Sequence, residues 1–225
     1  MKKPLTIEPE KTAALFIDLQ EEHRRDSRYI VEGFDRVLAN VQRIQAAARA
    51  AGVQLYHFAY IVDPTNRRSL HPMMPNGTSA FSAKDDPNTA ICGEVAPFSG
   101  ERTIVKGEAS AFGATSPIDE LRSQGIEWLV VCGVWTEACV DATVKDAVSR
   151  GFRVLLVKDA CGTGTAAMHQ TGILNLANRL YGGAVVTTDQ VCGLLAGESV
   201  EAWQVEGSVP LRYTFENAAE LYRQL

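Results

Sequence analysis

Residues 126–140 read IEWLVVCGVWTEACV, an almost unbroken apolar run up to Val134, then a turn and a segment carrying Cys139. A half-exposed strand would alternate apolar and polar residues, so continuous Val-rich character over 126–134 predicts a strand covered on both faces, as in a parallel sheet between helical layers. The segment after it, 136–150, is amphipathic at helical spacing. Strand, turn and helix together make one repeating unit.

Outward from this stretch the unit recurs. Candidate strands are 12–20 (TAALFIDLQ), 53–61 (VQLYHFAYI), 102–108 (RTIVKGE), 152–160 (FRVLLVKDA) and 184–191 (AVVTTDQV), which with 126–134 make six. Amphipathic segments lie between them at 34–51, 117–124 and 166–181; in the first, Val37, Val41, Ile44 and Ala48 share one face. Gly52, Gly125, Gly151 and Gly182 each stand just before the next strand, the place where a helix ends most easily on a residue without Cβ. Alternating strands and helices joined by right-handed crossovers imply an α/β fold: a doubly wound, mainly parallel six-stranded sheet with helices on both faces, a Rossmann-like three-layer arrangement.

In such sheets the ligand crevice lies at the carboxyl ends of the strands. Three of those ends carry reactive groups: Asp18 closes the first strand, Lys106 the third, and Cys139 follows the fourth. Two stretches break the repeat. Residues 62–100, with five prolines, are expected to form a covering loop over the site, since long connections in compact domains are usually functional. Residues 197–225 hold Trp203, Leu211, Tyr213, Phe215, Leu221 and Tyr222, apolar enough to pack against their own domain or a neighbouring subunit. One domain over 1–225 is expected.

Composition narrows the partners. With 46% hydrophobic residues, 22% charged residues and a net charge of −5, the chain can bury one sizeable core and has no electrostatic reason to bind nucleic acid or an anionic membrane. A small molecule fits better. The start, MKKPLTIEPEKTAALFIDLQ, meets acidic residues before any apolar run, unlike a secretory signal, and no apolar run approaches the ~20 residues of a membrane span. A soluble, cytoplasmic protein is expected. Five cysteines without a C-x-x-C pair fit neither a disulfide framework nor a zinc knuckle.

A cysteine opening a helix sits near free backbone N–H groups and the positive end of the dipole, which lowers a thiol pKa below the usual ~8.5. Cys139 is therefore the candidate nucleophile, with a buried structural thiol as the bland alternative. Asp18 interrupts an apolar strand, where a carboxylate must be paired or sit at an open strand end. An ammonium at Lys106 could hold it ionised and lower the thiol pKa by proximity.

With LFIDLQ around Asp18, IVKGEASAF around Lys106, GVWTEACV around Cys139 and VKDACG at 157–162, the chain resembles the isochorismatase-like hydrolases over about residues 11–195. That family includes nicotinamidase and N-carbamoylsarcosine amidase. The resemblance implies that Asp18 takes the thiol proton, Cys139 attacks a carbonyl carbon and Lys106 stabilises the ionised pair. It also implies a cis peptide at Val134-Trp135 and an oxyanion hole from the backbone N–H groups of Trp135 and Cys139, donors worth about 3 to 4 kcal/mol each in a transition state. A homodimer or homotetramer is the family's habit.

Departures from the family pattern set further expectations. Nicotinamidases carry an Asp-x-His metal site after the second strand; here the region reads YIVDPTNRRSLHP, Asp63 has no histidine two positions on, and His57 and His71 are isolated. No metal and no cofactor are expected, and His57 is read as a core histidine. Gln20, His23, Arg24, Phe112 and Trp135 are candidate substrate contacts: the first three follow Asp18, Phe112 follows Lys106, and Trp135 either walls the pocket or packs beside it. The activity expected is hydrolysis of a C–N bond in a small amide, ureide or carbamoyl compound. Vinyl ether hydrolysis, which needs no thiol, and a non-enzymatic binding protein on the same fold are the alternatives.

Overall fold

The computed structural model describes residues 1–65 and 70–225. Part of the expected covering loop, Asn66 to Ser69, lies outside the described residues. In chain order the strands are β1 (Lys2–Leu5), β2 (Thr12–Ile17), β3 (Gln54–Tyr60), β4 (Arg102–Lys106), β5 (Trp128–Val134), β6 (Arg153–Gly162), β7 (Ala184–Val186) and β8 (Val200–Trp203). The helices are α1 (Glu22–Arg25), α2 (Phe34–Ala50), α3 (Ile118–Ser123), α4 (Asp141–Ser149), α5 (Ala166–Ala177), α6 (Thr188–Leu195) and α7 (Ala218–Gln224). A π-helical turn, Thr136–Val140, runs into α4.

The sheet has eight strands in the order β1-β8-β7-β6-β5-β2-β3-β4. The strands from β4 to β7 are parallel, and β1 and β8 add an antiparallel edge beyond β7. The six expected strands are the parallel ones, except that the last, expected over 184–191, ends at Val186 and Thr188 already opens α6 behind a Thr187 capping box. The two additional ones escape a search for apolar runs because each is four residues long and only partly buried, with Lys2 and Glu201 facing water. Every residue of β2 and β5 is buried, as strands sandwiched between helices must be. No helix among the described residues is long and apolar enough to cross a membrane.

The chain leaves β2 towards β3 and β4, but leaves β5 in the opposite direction, towards β6 and β7. Right-handed crossovers in opposite directions put the connecting helices on opposite faces, which gives three layers. Helix α2 packs with α6, and α5 packs with α4 and α7. Beta strands β2 and β5 are neighbours with divergent connections, so the crevice of this fold opens at their carboxyl ends. The tail does two jobs: β8 extends the sheet, and α7 lies on α5.

Candidate active site

Asp18 stands one residue beyond β2 with φ of +52°, a left-handed conformation that aspartate tolerates better than most side chains. Its N–H still donates to Phe58 O at 3.0 Å while its carbonyl accepts from Gln20 N, so the chain turns sharply there. Across from it, Gly133 has φ of +126°, and a Cβ at that position would come within 2.1 Å of the Ile17 carbonyl oxygen. Only glycine lets β5 press this close to the end of β2. The peptide that follows, Val134-Trp135, is cis, at the position implied by the family resemblance.

Lys106, at the end of β4, is 1% exposed and pairs with Asp18. Its Nζ donates to Asp18 Oδ2 at 2.8 Å, Glu108 O at 3.2 Å and Ala109 O at 3.1 Å, which uses all three ammonium protons. A buried ammonium needs such a full set, because losing water costs each ion several kcal/mol. Burial raises the Asp18 carboxyl above the usual range, against the opposing pull of Lys106. Burial works against the Lys106 charge too, but the negative charges around it outweigh that and raise it. The other carboxylate oxygen, Asp18 Oδ1, is buried and has no hydrogen-bond partner.

Cys139 sits in the π-helical turn, partly exposed, where its thiol interacts with both Asp18 and Lys106. The sequence leads one to expect a thiol pKa lowered by a helix N-terminus. Instead burial, and then the Asp18 charge, push the Cys139 thiol well up, with Lys106 countering only in part. In this turn the N–H groups of Ala138 and Val140 are spent on Trp135 O, at 3.0 and 3.1 Å. The turn is held from behind by Thr143, whose hydroxyl donates to Cys139 O at 2.7 Å and accepts from Ala111 N. Thr136, the first residue of the turn, donates to Gly162 O and shares a 2.8 Å bond with His169.

Asp18 and Cys139 open onto a cavity of about 490 Å³. Among the residues named from sequence as substrate contacts, His23 and Trp135 line it; Gln20, Arg24 and Phe112 do not. Gln20 is fully buried and spends its amide on the backbone of Tyr60 and Thr89. Arg24 forks onto the carboxylates of Glu21 and Glu94. Phe112 is buried and stacks on Phe152 at 6.1 Å. His23 Nδ1 accepts from the Trp135 indole N–H at 3.2 Å, and burial lowers its pKa to about 4, so the ring is neutral and orients the tryptophan.

Glu108, Ala109 and Ala138 line it beside Lys106 and Cys139 in the chain, and further walls come from residues that sequence reasoning passed over: Glu22, Tyr29, Tyr60, Leu70, Phe81 and Ser82. Tyr60 ends β3 and could have been found by the strand-end rule; the others sit in α1 and in irregular connections, where no period marks them. Glu22 ties two of these pieces together by accepting from Ser82 N at 3.0 Å and Ser82 Oγ at 2.6 Å.

The histidines weighed as metal ligands lie apart. His57 stacks on Phe16 and shares a 2.9 Å bond with Glu101, while His71 bonds Tyr60 and Ser79. Glu21, Cys92 and Glu94 are close enough together to hold an ion, but both carboxylates are engaged by Arg24, and burial pushes the thiol up to about 12.

A family model described as the isochorismatase domain matches residues 12–190. The N-carbamoylsarcosine amidase of an Arthrobacter species is 30% identical over 193 residues, covering 80% of this chain and 70% of the relative. The ureidoacrylate amidohydrolase of Agrobacterium fabrum is 27% identical over 216 residues, covering 86% of this chain and 94% of the relative. A cysteine hydrolase from Pseudomonas syringae pv. phaseolicola, 23% identical, shares the fold with a TM-score of 0.75 over 85% of this chain and 95% of its own. The class that the fold and these relatives define is that of hydrolases. Within it, the chain belongs to the isochorismatase family.

Proposed function

We propose that the chain is a cysteine-dependent amidohydrolase, cleaving a C–N bond of a small amide or carbamoyl compound through a thioester and releasing ammonia or an amine. One observation carries most of the weight: at the cavity floor a buried carboxylate oxygen, Asp18 Oδ1, lacks a partner while a thiol interacts with the same carboxylate. Buried acceptors are rarely left unpaired, and those that are deserve a functional account. Relatives named as an amidase and an amidohydrolase support the same class of bond.

The chemistry follows from the protonation states. Burial holds Cys139 as a thiol and makes Asp18 a stronger base than an ordinary carboxylate. As a carbonyl carbon approaches the sulfur, the proton passes to Asp18 and the Sγ–C bond forms. The oxygen of the tetrahedral intermediate takes up the negative charge, facing the backbone N–H groups of Trp135 and Cys139 in this proposal. Protonated Asp18 then gives the proton to the departing nitrogen, the C–N bond breaks and a thioester remains. Water, losing a proton to Asp18, cleaves the thioester and restores the thiol. Lys106 keeps negative charge on Asp18 between steps and fixes its orientation.

Ammonia release from a panel of small amides and ureides tests this. Cys139→Ala is expected to lower turnover of the best substrate by at least about 10⁴-fold. Full activity in that variant would sink the thioester proposal, and turnover of a vinyl ether but of no amide, surviving the same substitution, would favour vinyl ether hydrolysis. No turnover of amides or vinyl ethers would favour a binding protein on the same fold.

A further inference from the structure

The walls of the cavity have a chemical character of their own. On one side Phe81 lies 5.0 Å from the Tyr29 ring, 6.1 Å from Tyr60 and 4.5 Å from His71, so these rings form one aromatic surface. Trp135 is a further aromatic ring of the lining, fixed by His23. The polar atoms on these rings are already engaged. Tyr29 donates to Ala80 O, Tyr60 bonds His71 Nδ1, and the Trp135 N–H donates to His23. What Tyr29, Tyr60, Phe81 and Trp135 present to a ligand is mainly ring carbon, while His23 Nε2 in the same lining is buried and has no hydrogen-bond partner.

Charge points the same way. Among the described residues the charged side chains lining the cavity are Asp18, Glu22 and Glu108, and the ammonium of Lys106 is fully engaged behind Asp18. A substrate carboxylate would enter beside acidic side chains and would lose its water to ring faces, an unfavourable exchange for an anion. Size leaves ample room for an apolar body: a cavity of roughly 150 Å³ accommodates benzene, and this one is about 490 Å³.

From this we infer that the amide cleaved here carries an uncharged, apolar acyl group, aryl or branched alkyl, seated against Tyr29, Tyr60, Phe81 and Trp135. The inference rests on the amidohydrolase reading and narrows its substrate class to amides without a carboxylate.

The test compares phenylacetamide and isobutyramide with N-carbamoylglycine, using the purified full-length chain and ammonia detection. Phenylacetamide is expected to exceed N-carbamoylglycine in kcat/KM by at least about 10-fold, the scale on which apolar pockets discriminate. A preference for N-carbamoylglycine overturns the inference while leaving the amidohydrolase proposal standing. If neither compound is turned over, calorimetry on the same protein still decides: phenylacetamide binding at least about 10-fold tighter supports the inference. Equal affinity, tighter N-carbamoylglycine binding, or no binding of phenylacetamide at millimolar concentration overturns it. Phe81→Ala and, independently, Tyr29→Ala should each reduce the phenylacetamide preference several-fold; an unchanged ratio in both folded variants also overturns it.

Discussion

Asp18 and Cys139, on the floor of the cavity, and Lys106, behind Asp18, come from the ends of β2 and β4 and from the turn after β5. Tyr29, Leu70, Phe81 and Ser82, in its walls, come from irregular connections; Leu70 is 98% exposed. The floor is pinned by strand hydrogen bonds and by an ion pair, whereas much of the wall is pinned by side chains such as Glu22 on Ser82. A fold can therefore keep its floor while its walls vary, and substitutions in the two regions should differ in kind. Floor changes strike chemistry and stability together, and wall changes strike selectivity and the pH response.

The largest effect expected is on turnover. Asp18→Asn keeps the shape but removes the base, and should lower kcat by about 10² to 10⁴-fold, the usual worth of a positioned general base. Next is Lys106→Met, which leaves the Asp18 carboxylate buried without its ammonium. Breaking a buried pair in this way costs about 3 to 5 kcal/mol, readable as a lower midpoint in urea unfolding. A loss below about 1 kcal/mol, the scale of an exposed pair, would mean that the floor is no more tightly held than the walls.

Thiol reactivity separates the regions more finely. Because burial and the Asp18 charge both raise Cys139, the free protein should be alkylated slowly at neutral pH by iodoacetamide, even though Cys139 is the proposed nucleophile. Removing the charge in Asp18→Asn should lower the thiol pKa and speed alkylation at the same pH, while slowing turnover. Opposite signs from one substitution distinguish a base that acts during the reaction from a group that merely activates a resting thiolate. Equal or slower alkylation in the variant would overturn that distinction.

The same contrast explains what could be read in the sequence. A charged residue ending a strand stands out against apolar neighbours, so Asp18 after LFI and Lys106 after IV were visible as strand-end groups, and the parallel sheet with them. The thiol's environment was not visible, because a helix start can be read locally whereas burial depends on what packs above it. Gln20 and Arg24 drew notice by standing next to Asp18 in the chain, but the sharp turn at Asp18 sends Gln20 into the interior and Arg24 towards Glu94. Phe81 and Tyr29 meet at 5.0 Å although 52 positions separate them, and no periodicity records such a meeting. Strands β1 and β8 were missed for a related reason: they pair with each other from far ends of the sequence.

The smallest effect concerns how the wall is fastened. Burial, ahead of the opposing bonds from Ser82, raises the Glu22 carboxyl above its usual value, whereas in the unfolded chain it returns to about 4.3. The folded protein therefore keeps this proton at pH values where the unfolded chain has lost it. Stability tied to Glu22 is fully present below the unfolded pKa and declines as pH rises through the folded one. Asp18 contributes with the same sign, so only a difference isolates the wall. Glu22→Gln, whose amide can still bond Ser82, should flatten the decline measured by urea unfolding between about pH 4 and 7, by less than the roughly 1.4 kcal/mol per pH unit that one proton can supply. Identical slopes in the two proteins would show that Glu22 titrates as it does in the unfolded chain, and that burial does not hold its proton.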